Sequence, residues 1–454
     1  MEKGELRLYN TLTRNVETFR PFNPKKVKIY TCGPTVYSMP HIGNFAAYVY
    51  WDLLVRILKM NGYVPYRVLN LTDVGHLTSD GDEGEDKLEK GARKTGKSVW
   101  EVAEYYIDQF QKDFQKLNLV QPQVWAQATD YIEEDEKLVD TLTSQGYTYE
   151  TRDGIYYDTS KFAKYAEFAR LDLDGIKAGA RVKFSQEKHN PSDFAVWKFI
   201  QPGENHTMRW DYLGRPGYPG WHLECSSIIH AELGETIDIH TGGIDHIPVH
   251  HTNEIAQSEA AFEKELAKYW LHCHHLMVNG KKISKSLGNG YTLKDLAKQG
   301  YSALDYKMWV LQGHYQSERD FNLEGLEAAR VRRLAWRNRV ARCYQDQEDE
   351  APIEVMEDLQ AAFNDNLNSP KAFAIIDSCH QDSLVFWRWV DDVLGLGLLR
   401  GRKLPENVQQ ILQDRQVARD QKDYAKSDYL RDELMKYGYT VLDTKAGQVW
   451  QYLR

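Results

Sequence analysis

The segment 27–71 limits the fold more than any other part of the chain. KVKIYT alternates apolar and polar residues and reads as a strand over 27–31. The loop GPTVYSMPHIGN follows. In FAAYVYWDLLVRILKMNGY, Trp51, Leu54, Val55 and Leu58 recur at helical spacing, and Gly62 marks the end. YRVLNL reads as a second strand. Strand, helix and strand in this order predict a parallel βαβ unit and an α/β fold.

Other elements fit that frame. Trp100, Ala103, Ile107, Phe110, Phe114 and Leu117 step by three and four, so a helix is expected over 99–117. Residues 125–200 mix helix and strand signals, as an insertion would. TIDIH (236–240) reads as a strand, 250–262 as a helix, and HLMVNG as a strand closing on an Asn279–Gly280 turn. From Asp295 the pattern is mostly helical. QDQEDE (345–350) reads as a solvated linker, with a boundary at Pro352.

At 454 residues about three domains are expected, taking ~150 residues for each. Five scattered cysteines exclude a disulfide scaffold and fit a reducing cytosol, so a cytoplasmic location is expected. MEKGELRLYN has no apolar core of a secretory signal. The longest uncharged stretch, 29–51, holds Pro34, Pro40, Gly33, Gly43, His41 and Asn44, which argues against a membrane span. A net charge of −9 gives no reason by itself to expect a nucleic-acid partner.

Two short signatures carry chemistry. His41-Ile42-Gly43-Asn44 follows a strand and opens a helix. A helix N-terminus presents free N–H groups and partial positive charge, which favour phosphate. Gly43 lets a nucleotide approach the backbone, and His41 and Asn44 can donate to phosphate oxygens. The second signature is Lys282-Ile283-Ser284-Lys285-Ser286, followed by Leu-Gly-Asn. Lys282 and Lys285 can follow the β- and γ-phosphates as charge develops, and Ser284 and Ser286 hold the turn or reach phosphate. KKISKS alone reads more readily as a solvated basic loop, and HIGN alone as a helix start. Together and in this order they point to ATP chemistry.

Metal-type donors lie near these signatures. Cys32 ends the first strand in TCGPTVY, and Cys225 lies in GWHLECS. His250 and Glu254 are four apart at a helix start and share one face. Cysteine, histidine and carboxylate are zinc ligands, so these four make a feasible cage. A closed structural site is the alternative. Cys273, Cys343 and Cys379 lack a partner motif. The HCHH stretch around Cys273 could imitate a metal site, but its strand pattern would alternate the side chains.

The two signatures match the HIGH and KMSKS motifs of class I aminoacyl-tRNA synthetases. Over nearly its whole length the chain resembles the cysteinyl-tRNA synthetase family. The carrying segments are LYNTLTRN, YTCGPTVY, HIGN, NLTDVG, GWHLECS, DIHTGGIDHIPVHHTNEIAQSEA, LMVNGKKISKSLGN and the tail from RQVARDQKDYAKSDYLRDEL to LDTKAGQVW. The resemblance implies a doubly wound parallel-sheet Rossmann-type catalytic domain, an inserted connective domain and a helical tRNA-binding region. It implies ATP-dependent activation of L-cysteine to cysteinyl-adenylate and transfer to the 3′ end of cysteine tRNA. It further implies one zinc on Cys32, Cys225, His250 and Glu254, binding the substrate thiolate, and Mg2+ with the ATP. Catalytic roles fall on His41, Asn44, Lys282 and Lys285. ATP is met by Gly43, Gly242, Gly243, Asp245, Lys282, Ser284, Lys285 and Ser286, and the amino acid by Thr72 and Trp221. The expected division is 1–124 and 201–294 for the two catalytic halves, 125–200 for the insertion, 295–350 for stem contact, 351–404 for a helical bundle and 405–454 for anticodon recognition. A monomer with no membrane partner is expected.

Two regions bear on RNA. Arg330, Arg332, Arg333, Arg337, Arg339 and Arg342 lie on one expected helix. They read either as tRNA phosphate contacts or as a solvated, ion-paired helix. The last 50 residues, 405–454, carry eight Lys/Arg and eight Asp/Glu, a balance that suits base reading. There the resemblance implies anticodon contacts from Arg419, Tyr424, Asp428 and Asp443, with Trp450 a further candidate.

The chain also departs from the family. Asn44 stands where histidine is usual, FAAYVYWD lacks an arginine often found there, and Thr241 replaces a glycine. The Pro-His step becomes Pro248-Val249-His250. NLTDVGHLTSD replaces a more acidic segment and leaves His76 and Asp80 without assigned roles. Two alternatives remain: a ligase joining cysteine to an amino sugar, which would lack the tail, and a non-catalytic zinc- or RNA-binding relative.

Overall fold

A computed structural model describes residues 4–75, 87–171, 187–204, 206–283, 288–345, 350–401, 404–444 and 447–453. Its centre is a five-stranded sheet in the spatial order Ala267–Cys273, Ile237–Gly243, Val27–Thr31, Pro65–Leu71, Val124–Gln127. All four pairings are parallel. Along Val27–Thr31 only Lys28 escapes burial, so the alternation read from the sequence is nearly lost. Tyr30 is fully buried. A parallel sheet covered on both faces hides both sets of side chains.

Helix Ile42–Met60 is buried on almost every side, because it packs against helices Ala303–Leu311 and Leu384–Leu394 as well as the sheet. It stops at Asn61, and Gly62 takes φ +80 to turn the chain back. Helix Val99–Lys116 starts on a Ser98–Glu101 capping box. The free edge of Ala267–Cys273 is covered by the hairpin Arg7–Asn10/Asn15–Thr18. There Thr11 N–H donates to the Trp270 carbonyl at 2.8 Å and Asn10 Oδ1 accepts from Trp270 N–H at 3.0 Å.

A second five-stranded sheet has the order Thr148–Thr151, Gly154–Tyr157, Phe194–Phe199, Arg215–Pro219, Trp210–Tyr212, with antiparallel pairings. Strand membership therefore crosses the expected insertion limits of 125 and 200. Val124–Gln127 belongs to the parallel sheet, and the second sheet runs on to Pro219. The hairpin that carries it past 200 turns at Leu213 and Gly214, both with positive φ. A leucine there hides the usual Asn-Gly type of signal.

Beyond these sheets, helix Leu323–Cys343 leads to helices Ile353–Asn364, Ser369–Ser378 and Leu384–Leu394. The last unit holds two helices, Glu406–Asp420 and Tyr424–Lys436, followed by the hairpin Tyr439–Thr444/Gly447–Tyr452. The break is a tight turn: Lys422 has φ 61, and Asp423 caps the next helix through Lys426 N–H at 3.0 Å. Among the described residues no helix is long and apolar enough to cross a membrane.

Candidate active site

Sheet order locates the site. From Val27–Thr31 the chain winds one way to Pro65–Leu71, and from Ile237–Gly243 the other way to Ala267–Cys273. Ligands of open α/β sheets bind outside the carboxyl ends of strands at such a reversal. Cys32 follows the first of these strands, and Gly242 and Gly243 end the second. Cys32 N–H donates to the Thr241 carbonyl at 3.1 Å, keeping the two strand ends together. A cavity of about 810 Å3 opens there, lined by Cys32, His41, Asn44, Trp221, Asp245 and Lys282 among others.

The HIGN loop forms one wall. His41 is the N-cap of helix Ile42–Met60. Its Nδ1 accepts from Asn44 N–H at 3.3 Å, while Asn44 Oδ1 accepts from His41 N–H at 3.0 Å. This capping box explains Asn44: a short amide at the third helical position closes the box. Gly43 also lines the cavity, and a Cβ there would lie 2.7 Å from the Ile283 side chain. A Cβ on Gly242 would lie 2.6 Å from the His251 ring. Gly243 and Asp245 line the same wall. Lys282 lies on the exposed strand Lys281–Lys282. Ser284, Lys285 and Ser286, like His76 and Asp80, lie outside the described residues.

The metal-type donors converge at the base of the cavity. Helix Trp221–Leu233 carries Trp221 and Cys225 one turn apart. A π-helical turn, Ile247–His251, leads into helix Thr252–Phe262 and brings His250 over Glu254, with Nε2 to Oε1 at 2.9 Å. Two overlapping sets have all donor atoms within 4.8 Å: Cys32, Cys225, His250, Glu254, and Cys32, His240, His251, Glu254. All six residues are buried.

Their charges are strongly coupled. A hydrogen bond with Cys32, assisted by His250, pulls the Cys225 thiol down to about 6 against the cost of burial. Burial, then Cys225 and Glu254, push the Cys32 thiol up. Burial would raise Glu254, but His240 and His250 hold its carboxyl well below the usual carboxylate range. Burial would lower His250, but Glu254 and Cys225 carry it up to about 10. Thiols, imidazole and carboxylate lie here within reach of one another, and a metal ion bound among them would displace the thiol protons.

Sequence reasoning missed part of this cluster. His240 Nε2 lies 2.6 Å from Glu254 Oε2 and anchors the carboxylate. His222 Nδ1 lies 2.9 Å from His250 Nδ1. His251 sits 3.3 Å from Cys32 Sγ and 2.7 Å from His272. The available signal was the histidine density of DIHTGGIDHIPVHH and HCHH. Within HCHH, His272 joins the cluster, whereas Cys273, His274 and His275 line the cavity. Glu224 was also missed: it is fully buried, beside Cys225 and in hydrogen-bond contact with Thr72, and burial holds its carboxyl well above the usual range. Trp221 lines the cavity with its ring stacked on His250, centroids 4.9 Å apart. Thr72 is buried and accepts from Asn70 Nδ2 at 3.0 Å.

The RNA candidates fall into two groups. Tyr424 is 62% exposed at the start of its helix. Asp428 is exposed and pairs with Arg431. Asp443 is held by three arginines: buried Arg415 makes two bonds of 3.0 Å, and Arg419 and Arg431 add bonds of 2.8 and 3.0 Å. Trp450 is buried against helix Leu323–Cys343, its backbone paired with Gln345, and is not offered to a base. In the arginine run, Arg330 pairs with Glu327, Arg332 with Asp377, Arg333 with Asp305, and Arg339 and Arg342 with Asp382. Arg337 stacks over Tyr452 at 3.9 Å. Five of the six thus reach partners on other elements, and Arg330 pairs within its own helix.

Comparison with known proteins agrees with this geometry. Residues 18–331 match the family described as the tRNA synthetases class I (C) catalytic domain, and residues 401–450 the cysteinyl-tRNA ligase anticodon binding domain. The cysteine–tRNA ligase 1 of Burkholderia lata is 43% identical, over 98% of this chain and 96% of that protein. The cysteine–tRNA ligase of Treponema denticola is 39% identical, over 99% of this chain and all of that protein. In fold, the chain is similar to Mycobacterium tuberculosis methionyl-tRNA synthetase in complex with methionyl-adenylate. The TM-score is 0.59 at 14% identity, covering 89% of this chain and 96% of that one. The chain belongs to the cysteine–tRNA ligase family of class I aminoacyl-tRNA synthetases.

Proposed function

We propose that the protein is a cysteine–tRNA ligase that joins L-cysteine to ATP, releasing pyrophosphate, and passes the cysteinyl group from the adenylate to the 3′ end of cysteine tRNA, releasing AMP. The observation that carries this reading is the thiol–imidazole–carboxylate cluster at the base of the cavity whose wall is the HIGN helix start.

Activation needs positioning and charge stabilisation rather than a general base. Because His41 Nδ1 accepts from Asn44 N–H, the neutral ring carries its proton on Nε2, which would donate to phosphate. Asn44 uses Oδ1 in the box and keeps Nδ2 as a donor. Gly242, Gly243 and Asp245 would hold the adenosine. Lys282, with Lys285, Ser284 and Ser286 beyond the described residues, would accompany the departing pyrophosphate, with Mg2+ on the ATP.

Cysteine and serine differ by one atom, worth only about 1–3 kcal/mol in an apolar pocket. Cys32, Cys225, His250 and Glu254 suit zinc in donor chemistry, burial and mutual approach. Bound zinc would supply a soft Lewis acid that accepts thiolate and not a neutral hydroxyl. Trp221 and Thr72 would close the pocket around the amino acid. Arg419, Tyr424, Asp428 and Asp443 would meet the anticodon from the unit beginning near 405. That unit argues against the amino-sugar ligase reading.

ATP–pyrophosphate exchange, run with cysteine and with serine in parallel, tests the proposal. Exchange that depends on cysteine and ignores serine is expected. Absence of cysteine-dependent exchange overturns it.

A further inference from the structure

The two overlapping donor sets share Cys32 and Glu254, and a four-coordinate zinc can use only one of them in full. They differ in which pair completes the cage: Cys225 with His250, or His240 with His251. A chain of three hydrogen bonds bears on that choice. Cys32 Sγ is 3.3 Å from His251 Nε2, His251 Nδ1 is 2.7 Å from His272 Nε2, and His272 Nδ1 is 2.8 Å from Thr11 Oγ1. Thr11, His251 and His272 are all buried.

A neutral imidazole has one N–H and one lone pair, so the direction of one bond sets the next. A metal-bound Cys32 thiolate can only accept at Sγ. His251 must then donate from Nε2 and accept at Nδ1. His272 must donate from Nε2 and accept at Nδ1. The chain therefore needs a donor at its far end, and the Thr11 hydroxyl supplies it. If His251 were itself a ligand through Nε2, its bond to Cys32 would be lost, the two bonds beyond it would reverse and Thr11 would accept. Thr11 is fixed in place by its N–H bond of 2.8 Å to Trp270, two residues before His272 on the same strand.

We propose that Thr11 is a positioning residue for the metal centre. Through His272 and His251 its hydroxyl completes a donor relay toward Cys32 that holds the His251 proton on Nε2, the arrangement that goes with the set of Cys225 and His250. Groups of this kind behind the ligands orient them and raise their basicity. The inference rests on the zinc reading proposed above.

Zinc content and affinity of the full-length protein, measured by chelator competition, test it together with the spectrum of the cobalt-substituted protein. Wild-type protein without bound zinc would refute the zinc reading itself. With zinc present, Thr11→Val should weaken it about 10–100-fold and reduce the cobalt–thiolate charge-transfer band, and Thr11→Ser should restore both. His272→Phe should show the same loss, and the double variant should be no worse than either single one. Wild-type affinity and spectrum in Thr11→Val, failure of Thr11→Ser to restore them, or additive losses in the double variant would overturn the inference. If Thr11→Val does not fold, His272→Phe decides: wild-type affinity in it overturns the relay, and the loss with a weakened band supports it.

Discussion

Asn44 Oδ1 accepts from the His41 backbone N–H at 3.0 Å, and the His41 ring accepts from the Asn44 N–H at 3.3 Å. The two polar residues of the first signature thus hold the helix start and face the cavity together. The asparagine that departs from the family pattern has a local structural reason.

Asn44→Ala should remove half of this box and cost about 1 kcal/mol of stability, with a raised KM for ATP. Asn44→Asp keeps an acceptor for His41 N–H but sets a negative charge against phosphate. Its melting temperature should stay near wild type while KM for ATP rises. An Asn44→Asp enzyme with normal ATP dependence would show that this side chain does not meet the nucleotide.

Cys225→Ser removes one of two thiols from the donor set that the zinc reading uses. Zinc content and the preference for cysteine over serine should fall together. Metal analysis beside exchange assays with both amino acids reads the two effects. Full zinc with unchanged preference would place Cys225 outside the ligand set.

A buried ionic junction ties the HIGN helix to the helices beyond the catalytic sheet. Fully buried Asp52 accepts from Lys307 Nζ, Arg56 Nε and Val120 N–H, each at 2.7 Å. Asp52→Ala leaves two cations with no carboxylate and should cost about 3–5 kcal/mol in denaturant unfolding. Adding Lys307→Met should recover part of the loss, since it removes the buried charge left behind.

Asp443 gathers Arg415, Arg419 and Arg431 in the last unit, and the Arg415 hydrogen bond lowers its carboxyl below the usual range. A carboxyl lowered by folding adds stability that is present above its unfolded value of about 3.9 and lost as pH falls through the folded value. Protection of strand Gly447–Tyr452 against amide exchange, relative to the intrinsic rate at each pH, should therefore persist at pH 5 and fall only below about pH 4. Asp443→Asn should lower that protection at neutral pH. The same variant, and deletion of 405–454, should depress tRNA charging far more than pyrophosphate exchange. Equal losses in both would make the unit a folding element.

Legibility varied with the range of the interaction. Strand 27–31, helix Ile42–Met60 and strand Pro65–Leu71 were readable because periodicity and end signals are local. The four-donor set Cys32, Cys225, His250 and Glu254 was readable from residue types and family resemblance, and the fold brings these atoms together. The hairpin at Leu213–Gly214 was not legible, since its turn residues carry no usual signal. Neither was the use of the arginine run, because its acidic partners Asp305, Asp377 and Asp382 come from two other helices and an interhelix link.

By itself, then, the sequence determined the α/β class, the two short signatures and the chemical identity of the candidate ligands. These depend on side-chain type and on neighbours within a turn or a strand. Only the tertiary structure decided that a strand reversal sets Cys32 beside Gly242, that Trp450 is core, and that Thr11 stands behind Cys32 through two histidines. Those relations join residues hundreds of positions apart. Packing across the sheet sets them, and no local pattern encodes it.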